Sequence, residues 1–208
     1  MKKLLILLFS LFLLSSPSVN ADDISDFSIE GISIGDSLLD YMTEEEILEE
    51  IERNKDLFVY LKEPNKYAEV YLFKDSPTYN FVAFIINNKG TNNYITNKNE
   101  KYTILSIRGQ IPYIENFNGC IQKRQEIVLE LSRMFSIVNK DEWVQEHNLD
   151  PSGNSIIDAI EMLLDSGESL VLHCSNWEET FRNKNNYSEG LSISIDSVET
   201  SEWMSDYK

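Results

Sequence analysis

Two cysteines, Cys120 and Cys174, constrain this chain more than any other feature. Its amino terminus reads as an export leader, and in an oxidising compartment two lone cysteines pair. The fold must then bring them within bonding reach across a loop of about 55 residues, for which chain entropy gives on the order of 4 kcal/mol. A reactive or metal-binding thiol pair is the rival reading, but there is no C-x-x-C and only His173 lies beside either cysteine.

The leader has three parts. Lys2 and Lys3 form a basic start, and the apolar run from Leu4 to Leu14 is broken only by Ser10. Ser15, Ser16, Pro17 and Ser18 follow, and Val19-Asn20-Ala21 places small residues at a cleavage site. The run is too short to span a bilayer. No cysteine follows it to carry a lipid, and no later segment has spanning length. Residues 22–208 are therefore expected to be soluble and either periplasmic or secreted, with 1–21 as the signal peptide.

Lys and Arg number 18 against 35 Asp and Glu, a net charge of −17 that becomes −19 without Lys2 and Lys3. Phosphate binding depends on basic side chains and counterion release, so nucleic acid is not an expected partner. An anionic membrane surface is disfavoured for the same reason.

Along 22–112, Phe27, Ile29, Ile32 and Ile34 suggest a short strand with a break at Gly31. Thr43-Glu44-Glu45-Glu46 is a capping box, with Met42 and Ile47 placed as a hydrophobic staple, so a short helix follows. Segments 57–62, 67–73, 79–86 and 101–111, rich in aromatic and β-branched residues, read as an antiparallel meander. Along 113–208, residues 114–135 carry Phe117, Cys120, Ile121, Ile127, Val128, Leu131 and Phe135 on one stripe, which predicts a helix burying Cys120. Strands are expected at 169–175 and 191–198. Residues 155–165 fit helical spacing, yet Asp165-Ser166-Gly167-Glu168 is tight-turn chemistry, and of the two a hairpin into the strand of Cys174 is favoured. The fold class is α+β: two helix-plus-meander halves, 22–112 and 113–208, rich in sheet and stapled by one disulfide.

Three motifs invite chemistry. Gly35-Asp36-Ser37-Leu38 resembles the opening block of GDSL (SGNH) hydrolases, which implies Ser37 as a nucleophile. That family's Gly-x-Asn-Asp block and carboxyl-terminal Asp-x-x-His are missing, since Val144 precedes His147 at the Asp position and Leu170 precedes His173. A serine without base, orienter or oxyanion donor has no activated form. Gly31-Ile32-Ser33-Ile34-Gly35 matches a nucleophile elbow but lies before any sheet that could present it. Residues 150–161 offer oxygen side chains at several EF-hand positions, including Asp150, Asp158 and Glu161, with Ser155 where the loop requires Gly. A turn is expected there, and neither metal nor cofactor is assigned.

Two plainer features complete the inventory. The glutamates of 44–52 read as a solvated helix face, or alternatively as a docking edge for a basic partner at Glu44, Glu45 and Glu49. Trp143, Trp177 and Trp203 are expected in the core rather than in a ligand groove.

Phe27 to Leu39, with Glu44-Glu45-Glu46-Ile47, Cys120 in a helix and the late Cys174-Ser175-Asn176-Trp177, resembles a group of exported proteins of marine bacteria with AT-rich genomes. That group has no assigned activity, so the resemblance implies export and no functional residue. Helix-then-meander twice is similar at fold level to the tandem repeats of β-lactamase-inhibitor-protein-like domains and of small outer-membrane-assembly lipoproteins. The expected role is a non-catalytic binding or interaction module of the cell envelope, with no enzyme activity. A secreted hydrolase using Ser37 is the alternative.

Overall fold

The computed structural model describes residues 24, 27–56, 61, 66–72, 76, 78–88 and 101–205. The expected signal peptide and most of the strand expected at 57–62 lie outside them. The elements run α1 (Glu44–Asn54), β1 (Tyr67–Leu72), β2 (Phe81–Asn87), β3 (Ile104–Pro112), α2 (Phe117–Met134), β4 (Ile137–Glu146), β5 (Ile156–Leu164), β6 (Ser169–Asn176), α3 (Glu179–Asn185), β7 (Gly190–Asp196) and α4 (Val198–Ser205). The seven strands form one sheet in the order β1-β2-β3-β7-β6-β5-β4, and every neighbouring pair is antiparallel. The fold is α+β and sheet-rich. The last strand, β7, enters between β3 and β6 and joins the two meanders. Among the described residues no helix is long and apolar enough to cross a membrane.

Alternation along the strands gives the sheet two unlike faces. One carries Val70, Phe84, Ile107, Ile195, Leu170 and Met162, which oppose one another strand by strand. Both long helices lie on it. Ile47 of α1 packs into a cluster with Val70, Phe84, Ile86, Ile104 and Ile107. Val128, Leu131 and Phe135, at the end of α2, pack into a second with Ile160, Met162, Leu170, Leu172 and Ile193. Burying a side chain of this size contributes about 1.5–3 kcal/mol, so these two clusters are the main hydrophobic drive of the fold.

Local chemistry sets the helix starts. The Thr43 hydroxyl accepts from the Glu46 amide, and the Glu46 carboxylate accepts from the Thr43 amide at 2.8 Å, completing the expected capping box. Helix α2 begins at Phe117 rather than 114, because the Asn116 carboxamide accepts from the Gly119 amide and caps it there. The disulfide joins Cys120 on α2 to Cys174 on β6 with a Cα–Cα distance of 5.9 Å, as the leader and the helix stripe predict. Residues 155–165 contain strand β5, and the turn to β6 closes with Gly167 donating to the Leu164 carbonyl and Leu164 to that of Glu168. Gly167 holds φ +98°, a conformation that other residues adopt only under strain.

Some expectations are corrected. Residues 27–34 make a turn rather than a strand: Ile29 and Ile32 bridge each other, while Glu30 and Gly31 both take positive φ, the geometry of a tight hairpin turn. Strand β7 stops at Asp196 instead of 198, because the Ser197 hydroxyl accepts from the Thr200 amide at the start of α4. Strand β4 and helices α3 and α4 were not anticipated from the pattern.

Candidate functional site

The sheet's other face carries neither α1 nor α2. Three rows of side chains cross it. Trp143, Ala159, His173, Ser192, Gln110 and Phe81 form the first, each opposite the next. Asp141, Glu161, Val171, Ser194, Arg108, Ala83 and Tyr71 form the second. Leu163, Ser169, Asp196, Ser106, Ile85 and Glu69 form the third. Ala159, Ser192, Gln110, Ser169 and Ser106 of these rows are buried among larger charged and aromatic groups.

The polar groups hold one another in fixed geometry. Glu69 is buried and pairs with the Arg108 guanidinium at 2.8 Å. The Tyr71 hydroxyl donates to the same carboxylate at 2.8 Å and accepts from Arg108 at 3.1 Å. Burial, with the Glu69 charge beside it, pushes the Tyr71 phenol well above its ordinary range. The Ser106 hydroxyl donates to Asp196 at 2.5 Å, and that of Ser169 to Glu161 at 3.0 Å. At the centre His173 has its pKa pulled down to about 4, first by burial and then by the positive charges of Arg108 and Arg124. It is a neutral imidazole at physiological pH. Next to it the Ser192 hydroxyl is buried with no hydrogen-bond partner among the described residues.

Helix α4 covers one end of this face. Trp203 packs against Tyr67 in a tilted pair with ring centroids 4.3 Å apart, and the Tyr67 hydroxyl donates to Glu199. Under Met204 a cavity of about 70 Å³ touches Glu69, Ser106, Arg108, Ser194 and Asp196. It can hold water but is too small for an organic ligand.

Of the residues singled out from the sequence, Trp143, Glu161 and His173 stand on this face, whereas Ser37, Asp36, Asp150 and Asp158 do not. Ser37 is 3% exposed and its hydroxyl donates to the Lys101 carbonyl at 2.9 Å, tying the Leu38–Asp40 turn to the start of β3. Asp36 accepts from the Ser33 amide and the Tyr41 hydroxyl, whose pKa it raises to about 12. Asp150 is a turn anchor, accepting from the amides of Ser152 and Ser155; hydrogen bonding first from the Ser155 side chain, then from the Ser152 amide and hydroxyl and the Ser155 amide, holds its carboxyl down at about 2. Asp158 faces Arg124 at 2.7 Å while Glu161 points to the opposite face, so the oxygens of 150–161 are not gathered around one point.

The acidic helix is also less uniform than expected. Glu44 is held by Lys101 at 2.9 Å and by the Tyr102 hydroxyl. Glu45 and Glu49 are exposed, as a solvated face requires. Glu50 is buried and accepts from Asn54 and from the Tyr71 amide, while Asn54 donates to the Glu69 carbonyl. These two side chains occupy the outer edge of β1 in place of another strand. Of the tryptophans, Trp177 joins His147, Phe181 and Tyr187 in a ring cluster whose centroids lie 4.9 to 6.3 Å apart.

The polar face was missed by motif reading. Its only local signal is the polar half of the alternation, His173 and Ser175 in β6 and Ser192 and Ser194 in β7. Comparison with known proteins adds no relative: no family model matches the chain, and no curated protein or solved structure is similar to it at a significant level.

Proposed function

We propose that this protein is an exported binding module, acting in the periplasm or beyond the cell, whose ligand lies across the sheet face that α1 and α2 leave uncovered. The observation that carries the reading is the array around His173: a neutral imidazole, an unpartnered buried Ser192 hydroxyl and charge pairs already locked in place. Preorganised polar groups on a rigid sheet lose little freedom when a ligand engages them. A leader-type amino terminus and the Cys120–Cys174 bridge support the location. Any basic partner along α1 would engage Glu45 and Glu49, since Glu44 already holds Lys101.

No catalysis is assigned. Ser37 spends its hydroxyl on a main-chain carbonyl, and both histidines lie in other parts of the fold, one on β6 and one after β4. The test has two arms. Incubating the mature protein with a fluorophosphonate should give no label; labelling that disappears in Ser37→Ala would overturn the reading in favour of a hydrolase. Titrating extended peptides and oligosaccharides while following the Trp143 indole and His173 imidazole by NMR should move these signals first. Shifts confined to the outer faces of α1 and α2 would overturn the placement of the site.

A further inference from the structure

The two edges of the sheet are finished differently. At β1 the Glu50 carboxylate accepts from the Tyr71 amide and the Asn54 carboxamide donates to the Glu69 carbonyl, so α1 closes that edge. At β4 nothing among the described residues pairs with the outer edge, although β4 is ten residues long, the longest of the described strands. Val138 and Val144 are 60% and 65% exposed. An open strand of this length is a template for another strand.

The ladder to β5 fixes which groups point outward. His147 donates to the Ser155 carbonyl, so in an alternating antiparallel ladder the odd residues of β4 bond inward. The amides and carbonyls of Lys140, Glu142, Val144 and Glu146 face out. A strand pairing antiparallel with its own copy has a two-fold axis at one residue, and most choices of that residue are penalised here. An axis at Lys140, Asp141 or Glu142 sets the residue against its own charge, and one at Val144 sets Glu142 against Glu146. Like charges directly opposite destabilise a sheet. An axis at Trp143 places Lys140 opposite Glu146 twice, Glu142 opposite Val144 and Asp141 opposite Gln145, with no like pair. It also brings the two Trp143 side chains together at a non-hydrogen-bonded position, where side chains approach closest. Within one copy Trp143 is half-buried, has only Ala159 opposite it, and joins no ring pair among the described residues.

We propose that β4 pairs antiparallel with β4 of a second copy around a two-fold axis at Trp143. The partner is this same chain, chosen by the self-complementary order of Lys140, Trp143 and Glu146, and the pairing joins into one surface the two faces that carry neither α1 nor α2. The net charge, −17 for the whole chain and −19 without Lys2 and Lys3, opposes association, so the measurement belongs at physiological ionic strength, where charges more than about 8 Å apart are largely screened.

Sedimentation and light scattering of the mature protein should show a concentration-dependent dimer. Val144→Pro removes an outward amide while sparing the inward ladder, and should give a monomer with an unchanged circular dichroism spectrum. Lys140→Glu should weaken the dimer by roughly tenfold or more, because two opposite-charge pairs become like pairs. Trp143→Cys should form an intermolecular disulfide under mild oxidation, since non-hydrogen-bonded partners have Cα atoms about 4.5 Å apart, within bridging range. Gln145→Cys, set opposite Asp141, should not. A monomer at all concentrations overturns the proposal, as does a dimer indifferent to Val144→Pro or one cross-linked equally through residue 145. Outward amides protected only when an unrelated extended peptide is added would assign the edge to a peptide instead.

Discussion

Replacing His173 with Gln should flatten the acid limb of this protein's stability curve. An imidazole titrates at 6.5 in the unfolded chain and at about 4 in the folded one, where burial and the charges of Arg108 and Arg124 disfavour the cation. Above pH 6.5 both states are neutral and His173 makes no pH-dependent contribution. As the pH falls from 6.5 to about 4, the unfolded state binds the proton and the folded state does not, so folding loses about 1.4 kcal/mol per unit. The gap integrates to about 3 kcal/mol, and partial solvent access to the ring trims it to about 2. That is a sizeable share of a typical domain stability of about 5–15 kcal/mol. Urea unfolding of wild type and His173→Gln at a series of pH values isolates the effect, because carboxylates held low, such as Asp150, are common to both and cancel in the difference. The wild type should lose about 2–3 kcal/mol relative to the variant between neutral pH and pH 4. A difference that stays flat, or an NMR titration placing His173 near 6.5, would refute the picture of a neutral ring in a cationic surround.

Two further outcomes follow from the framework. Alkylation of the unfolded, unreduced protein should find no free thiol, and Cys120→Ser with Cys174→Ser should cost on the order of 4 kcal/mol in denaturant unfolding, since the bridge closes a long loop. Glu45→Gln with Glu49→Gln should change stability by about 1 kcal/mol or less, whereas Glu50→Gln alone should cost about 1–3 kcal/mol, because it weakens the bonds that close the edge of β1; thermal unfolding compares them directly.

How far the sequence could be read depended on whether a residue answers to its neighbours in the chain or to distant ones. Helix α2 was legible because Cys120, Val128 and Leu131 repeat at helical spacing and are buried on one side. The capping box of Thr43 and Glu46 is closed within four residues. The β5–β6 hairpin was legible in Ser166-Gly167 because a turn is a local object. Strand β4 was not: exposed along its length except at Ile137 and Trp143 and carrying Lys140-Asp141-Glu142, it has no one-sided alternation to read. Buried Glu50 was read as part of a solvated helix face, since what buries it is a sheet edge far away in sequence.

The same distinction separates the candidate site from the motifs that advertised one. Gly35-Asp36-Ser37-Leu38 is contiguous and therefore conspicuous, yet its serine is committed to a backbone carbonyl. Arg108, His173 and Ser192 are scattered over three strands and become neighbours only because β7 enters the sheet between β3 and β6. No window of sequence contains that event. Its consequence is physical: with α1 and α2 both on the other face, the polar halves of seven strands line up on one surface. The closure of β1 by Glu50 and Asn54 then leaves β4 as the direction in which that surface can grow.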